Sequence, residues 1–573
     1  MVNMYFVALA TDYDGTLAED GTVSPSTVSS LRLLKESGRK LILVTGRELP
    51  DLQRIFDNLD LFDFVVAENG ALLFEPASAA ETVLGAAAPP AFVERLAQRK
   101  VVPLSIGRSI VATHEPNEKI VLDAIRELGL DLQIIFNKGS VMVLPAGVNK
   151  ATGLAAALAR LKLSPLNVVG VGDAENDHAF LRSCGCAAAV ANALPMLKAD
   201  AEIVTKAVCG AGVVEIINGL IGNDLADYAA KAERQLVELA REPNGAPVEV
   251  HPQGGGSLLI AGSSGGGKST VATGLLERIA ERGFQFCVID PEGDYAGLEG
   301  TVTVGDPKTP PRLHEVSELL EQPDQSVVVD LTGIELADRP RFFASLFPQL
   351  CELRARTARP HWLVIDEAHH MLPAVLGSAS VTLPLDLVGS ILITVRPEHV
   401  APPALDAVTR VMTVGAEAGT AMRSFCERAG SEAPQFDEAP RDRGKALLWD
   451  RSTGAVRKIC TIQPRAERLR HSRKYAEGEL GEDKSFYFRG PEGSLNLKAQ
   501  NLSVFLQMAH GIDDGTWLYH LRAGDYSRWL GDSINDSELA SEVAGIETDT
   551  ALDADESRLR VKAAIERRYT GPA

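Results

Sequence analysis

Over the first 222 residues, short and nearly unbroken apolar runs alternate with stretches of helical periodicity. The runs at 5–10, 40–44, 64–67 and 167–171 are too short for helices and too apolar for one-sided strands. They predict buried strands of a parallel sheet covered by helices. A second series follows at 257–261, 286–290, 326–330, 362–366 and 390–394. Between the two series, 225–241 predicts a helix, and Glu242-Pro243-Asn244-Gly245-Ala246-Pro247 predicts a joint between domains. Residues 445–449 and 455–461 predict a hairpin that closes the second series. Beyond them, 485–488, 495–508 and 517–530 predict a small, mainly helical module. Its Trp517, Tyr519, His520, Tyr526 and Trp529 stand at helical spacing and read as core. An acidic connector at 547–556 precedes a last helix. The pattern predicts an α/β protein of two doubly wound parallel-sheet domains, residues 1–222 and 223–464, with a linker and helical module over 465–573.

Composition narrows the partners. At 573 residues the chain is too long for one core. A net charge of −20 argues against a protein that coats nucleic acid or anionic membrane, though a local basic channel stays compatible with it. The most basic segment, 465–474, predicts a solvated helical linker. Seven cysteines scattered along the chain do not form a disulfide framework, and Cys184-Gly185-Cys186 lacks a second pair at zinc spacing. No segment resembles a signal peptide or a bilayer span, so the expectation is a cytoplasmic protein without a membrane partner.

Polar residues cluster where the strands of the first series end. Asp12, two positions before Asp14 on an extended segment, can attack phosphorus as a carboxylate. Asp14 can protonate the leaving oxygen and then deprotonate water. Thr45, with Gly46 in Val44-Thr45-Gly46-Arg47, offers a hydroxyl to phosphoryl oxygens, and Lys150 offers a positive charge. Asp173 and Asp177, in Gly172-Asp173-Ala174-Glu175-Asn176-Asp177, offer hard oxygens to Mg2+. The four motifs in this order resemble the haloacid dehalogenase superfamily, and the last resembles its Cof-type sugar-phosphatase branch. The resemblance implies a nucleophile at Asp12, an acid/base at Asp14, phosphate contacts from Thr45, Gly46, Lys150 and Asn176, and a metal site of Asp12, Asp14, Asp173 and Asp177. It also implies a cap inserted at about 80–144, with Glu68-Asn69-Gly70 near its hinge, and a phosphorylated small molecule, such as a sugar phosphate, as substrate.

The second series opens on a different phosphate signature. After the run at 257–261 comes Gly262-Ser263-Ser264-Gly265-Gly266-Gly267-Lys268-Ser269-Thr270. Its glycines allow close backbone approach to the phosphates of ATP, Lys268 pairs with their charge, and Ser269 ligates Mg2+. Asp366, at the end of an apolar strand, would hold the cation through water, and Glu367 would polarise the attacking water. With an additional strand between these elements, Asp290-Pro291-Glu292-Gly293-Asp294-Tyr295 and Asp366-Glu367-Ala368-His369 resemble the HerA/FtsK class. That class implies ATP hydrolysis and a homo-oligomeric ring, and Arg354, Arg356 and Arg359 are candidates for a charge supplied to a neighbouring subunit. The chain departs from the class at Val395, which stands where a Gln often precedes Arg-Pro, and in having the phosphatase in place of an N-terminal β-barrel. His369 and His370 read as helix-start residues.

The favoured reading is a magnesium-dependent phosphatase fused to an ATPase that governs it or a partner. A nucleic-acid translocase with an end-trimming phosphatase is the second reading, disfavoured by the acidic balance and Val395. An ATP-dependent scaffold with a sensor phosphatase is the third.

Overall fold

The computed structural model describes residues 4–229, 235–251, 256–263, 266–373, 387–436, 444–465, 485–491, 493, 495–534 and 536–569. It divides into two compact units, one of 1–269 with 275–462 and one of 270–274 with 463–573.

The first unit holds two large sheets. In one, the strands run in the order Ile203–Val204, Cys186–Ala189, Val168–Gly172, Ala8–Thr11, Lys40–Val44, Phe64–Ala67, Leu72–Glu75 and Ala80–Val83. The first six are parallel, and the last two turn back antiparallel. The Ala8–Thr11 strand is central and wholly buried, which explains its lack of polar alternation. Beyond this sheet, four antiparallel strands (Ser105–Ile106, Val111–His114, Ser140–Pro145 and Leu132–Asn137) and the helices Pro90–Gln98 and Glu118–Leu128 form the cap around their own small core. Residues 80–83, expected in the cap, pair instead with Leu72–Glu75 at the edge of the main sheet.

The second sheet has eleven strands among the described residues. Ser390–Thr394 lies between Ser257–Ala261 and Trp362–Ile365, all parallel, so the additional strand separates the glycine-rich loop from the Asp366 strand. The predicted helix over 225–241 is a correction. A helix covers Ala226–Ala229, and Val237–Arg241 is a strand paired antiparallel with Pro247–Val250. The breaker cluster forms the turn of that hairpin, with Gly245 at φ +89° and its N–H bonded to Glu242 O at 2.8 Å. Local periodicity favoured helix because Val237, Leu239 and Ala240 are buried together, but pairing across the turn decides the backbone. Lys445–Asp450 and Val456–Cys460 form the expected hairpin.

The second unit pairs Phe486–Phe488 with Leu497–Ala499 beside helices Leu502–Gly511, Asp514–Ala523, Asp525–Asp532, Ser537–Thr548 and Ala554–Tyr569. Trp517 and Tyr526 are fully buried and stacked at 4.5 Å, so the aromatic cluster is core, while Tyr519 is exposed. The acidic connector is shorter than expected, because the Ser537–Thr548 helix reaches into it. The basic segment at 466–474 lies outside the described residues. No helix among the described residues is long and apolar enough to cross a membrane.

Candidate functional sites

Asp12 follows the central strand of the first sheet, and Asp173 follows its parallel neighbour, so register alone brings their loops together. Asp177 folds back in the same loop, and its Oδ2 accepts from the N–H groups of Asp173 at 2.8 Å and Ala174 at 3.0 Å. Ligand atoms of Asp12, Asp173 and Asp177 lie within 4.8 Å of one another, and all three residues are buried. Lys150, at the start of the Lys150–Leu161 helix and 1% exposed, reaches Asp12 Oδ1 at 2.5 Å and Asp177 Oδ1 at 2.6 Å. That helix can approach because Gly70 lacks a side chain: a Cβ there would lie 1.9 Å from Asn149 O.

The electrostatics follow from burial. Desolvation, then the charge of Asp177, raises the Asp12 pKa to about 8 despite Lys150. Burial alone would lower Lys150, but Asp12 and Asp177 outweigh it, and the ammonium is held above its ordinary range. Asp173 is raised by desolvation against the opposing hydrogen bond from Lys138. One buried cation among three carboxylates leaves an excess of negative charge. Three hard oxygen donors in that state fit a divalent ion such as Mg2+, which would supply charge neutralisation for an anionic phosphoester.

Asp14 departs from the expected metal set. Its carboxylate turns to Arg47, which donates from Nε at 2.7 Å and Nη2 at 2.6 Å. The forked guanidinium matches both carboxylate oxygens, so the Asp14 side chain lies apart from the trio. The Thr45 hydroxyl accepts from Arg47 N at 3.1 Å. Asn176 donates to Asn69 Oδ1 at 3.1 Å, which sets its amide beside Gly46. Two side chains tie the cap to the main sheet, Glu68 at the hinge the sequence indicates and Lys138, which no motif reveals. Glu68, fully buried, accepts from the N–H groups of Arg108, Ser109 and Ile110 at 2.8, 2.8 and 3.1 Å, latching the cap at its hinge. Lys138, at the turn of the last cap hairpin, reaches Asp173 Oδ2 at 2.5 Å.

In the second sheet Gly262 packs under Val414, where a Cβ would lie 2.4 Å from Val414 O. Gly267, at φ +93°, opens the Lys268–Glu281 helix. Lys268 is buried and donates to Ser263 O at 3.1 Å; burial lowers its pKa against the pull of Glu367 and Asp366. Gly266 lies in the loop, Ser269 and Thr270 stand in the first helical turn, and Gly265 lies outside the described residues. Asp366 and Glu367 are both raised by desolvation first. Glu367 adopts a left-handed backbone, φ +41°, uncommon for a residue with a side chain, and its buried Oε2 has no hydrogen-bond partner. The Val395 backbone N–H counters the rise in the Glu367 pKa, while its apolar side chain offers no polar contact. His369 Nδ1 sits 3.0 Å from Thr394 Oγ1 and 3.3 Å from Glu367 Oε2, and burial lowers its pKa to about 4. It stands at the start of the Ala368–Met371 helix, as the sequence indicates, and gains these contacts there. Arg354 and Arg359 are buried and donate to carbonyls within the same unit, so neither is exposed to reach a neighbour.

The two sites are joined through the opposite ends of their strands. Asn167 immediately precedes the strand leading to Asp173, and His361 immediately precedes the strand leading to Asp366. His361 Nδ1 accepts from Gln285 N at 3.0 Å, so Nε2 carries the proton donated to Asn167 Oδ1 at 2.9 Å. Asn167 in turn donates to Tyr5 O at 2.9 Å, and Arg359 donates to Lys162 O at 2.6 Å.

Comparison with known proteins finds relatives for both parts of the chain. The family of haloacid dehalogenase-like hydrolases matches residues 9–101 and 104–217, and the central domain of helicase HerA matches 255–343. Phosphoglycolate phosphatase 2 of Saccharolobus solfataricus is 31% identical over 233 residues, 38% of this chain and 94% of that protein. The phosphoglycolate phosphatase of Methanothermobacter thermautotrophicus is 29% identical over 229 residues, 38% of this chain and 99% of that protein. The crystal structure of a haloacid dehalogenase-like hydrolase from Bacteroides thetaiotaomicron aligns with a TM-score of 0.33 at 17% identity, covering 38% of this chain and 99% of that one.

Proposed function

The chain belongs to the haloacid dehalogenase-like hydrolases and joins a phosphatase to a HerA-type ATPase domain; on that premise we propose that it cleaves small carboxylated phosphomonoesters through an aspartyl-phosphate, under the control of ATP. The observation that carries the phosphatase reading is the buried group of Asp12, Asp173, Asp177 and Lys150. Asp12 attacks phosphorus, the ester P–O bond breaks, and Asp14 delivers a proton to the leaving oxygen. Asp14 then takes a proton from water as that water attacks phosphorus, releasing phosphate and restoring Asp12. Thr45 and Lys150 hold the phosphoryl oxygens. Asp12, Asp173 and Asp177 would hold the Mg2+, which screens the phosphoryl charge from the nucleophile. The substrate class is supported by the relatives named above, both of them phosphoglycolate phosphatases.

In the ATPase, Lys268 grips the phosphates, Ser269 and Asp366 hold the cation, and Glu367 activates water. The buried position of the Glu367 carboxylate, with desolvation raising its pKa toward that of a proton acceptor beside Lys268, supports this. Control by ATP is supported by the His361–Asn167 bond, because any movement of the Asp366 strand would be transmitted through it to the strand that carries Asp173. A cytoplasmic setting and a ring-forming assembly belong to the same proposal. A phosphate-release assay over a panel of esters, with and without ATP, tests it together with Asp12→Asn. Loss of at least 1000-fold, about 4 kcal/mol of barrier, is expected for the variant, with ATP hydrolysis retained. Undiminished phosphate release by Asp12→Asn refutes the phosphatase reading, and indifference to ATP across the panel refutes the control.

A further inference from the structure

Lys138 is the one described cation of the cap that an ion pair joins to the buried carboxylate trio. It stands at the turn between Leu132–Asn137 and Ser140–Pro145, and its backbone is left-handed at φ +46°. The side chain is half-exposed, unlike that of Lys150, so its ammonium is open to solvent as well as to Asp173. It also overhangs the nucleophile loop: a Cβ on Gly15 would lie 2.8 Å from Lys138 Nζ and 2.5 Å from Asp173 Oδ2. Arg47 holds both oxygens of Asp14, the residue next to Gly15. A phosphomonoester bound with its phosphorus at Asp12 would place its leaving group between the cap turn and Asp14.

We propose that Lys138 is the specificity residue for a second anion on the leaving group. In this reading, which rests on the phosphatase function above, Lys138 leaves Asp173 for a carboxylate one or two carbons from the ester oxygen. The exchange replaces one ion pair by another, so an anionic leaving group draws the cap cation at little electrostatic cost. A neutral leaving group offers no partner, and Lys138 stays on Asp173, where it competes for a carboxylate that the trio needs. Selectivity for carboxylated esters thus arises from what Lys138 must give up as well as from what it gains.

The test compares 2-phosphoglycolate with ethyl phosphate, in the full-length protein and its Lys138→Met and Lys138→Arg variants. The readout is the ratio of kcat/KM for the two esters. One charge-assisted contact predicts a fall of roughly 10- to 100-fold in that ratio for Lys138→Met, with most of it kept by Lys138→Arg. An unchanged ratio in Lys138→Met overturns the assignment, as does an equal loss in Lys138→Arg. Affinity is measured separately by calorimetry in the Asp12→Asn background. There Lys138→Met is expected to weaken 2-phosphoglycolate by about 10-fold more than ethyl phosphate, and equal weakening overturns the proposal. If the wild-type protein hydrolyses neither ester, the phosphatase reading fails for this substrate class, and the calorimetry still decides the role of Lys138.

Discussion

His361 at the seam between the two sheets makes stability depend on pH in a calculable way. Its Nδ1 accepts a backbone N–H and its Nε2 donates to Asn167, so a second proton on the ring would face the Gln285 N–H and break that bond. Burial, then the charges of Arg359 and Arg354, lowers its pKa to about 3. In the unfolded chain a histidine titrates near 6.5. Between these two values the unfolded state binds a proton that the folded state refuses. The folded state therefore holds its full advantage above pH 6.5 and loses it progressively as pH falls toward 3. At pH 5 the loss from this group is 1.5 pH units, or about 2 kcal/mol. His251, also buried and lowered to about 4, adds a loss of the same sign. Comparison of wild type with His361→Gln isolates the first contribution. Urea unfolding followed by tryptophan fluorescence, to which the buried Trp362 contributes, gives the stability of each protein from pH 7.5 to 5.0. The variant is less stable at pH 7.5, because the bond to Gln285 is lost. The gap should then shrink by about 2 kcal/mol by pH 5. Parallel curves across this range would show that His361 is not held neutral and would refute the reasoning.

Other consequences are as direct. Glu367→Gln keeps the shape of the side chain but removes the base, so ATP turnover should fall on the order of 100-fold while ATP binding persists; equal turnover would sink the water-activating role. Glu68→Ala leaves three cap N–H groups without an acceptor, each worth about 1 kcal/mol or more. Amide exchange at 108–110 should then accelerate at least 10-fold, and unaltered protection there would show that the latch does not hold the cap.

Both phosphate signatures, their order along the chain and the strands that bear them were legible from local pattern, because a buried parallel strand must be a short apolar run and must deliver its polar residues at its C-terminal end. Chemistry written in contiguous residues, such as Gly262 to Ser269 or Gly172 to Asp177, needs no tertiary information to be seen. What the local pattern missed depends on partners far away in sequence. Val237–Arg241 is a strand because it pairs with Pro247–Val250, and Arg354 and Arg359 are spent on carbonyls of their own unit. The Asp14 side chain stands apart from the buried trio because Arg47 offers it two donors in a matching fork. His369 gains its contact from Thr394, which follows it by 25 residues. Lys138 and Glu68 matter only because the cap folds back over the first sheet, and His361 only because two sheets meet at Asn167. The sequence by itself determined which reactions the chain has the groups to perform. The tertiary structure decided which of those groups face one another, because hydrogen bonds and charges act over a few ångströms of space whatever their separation along the chain.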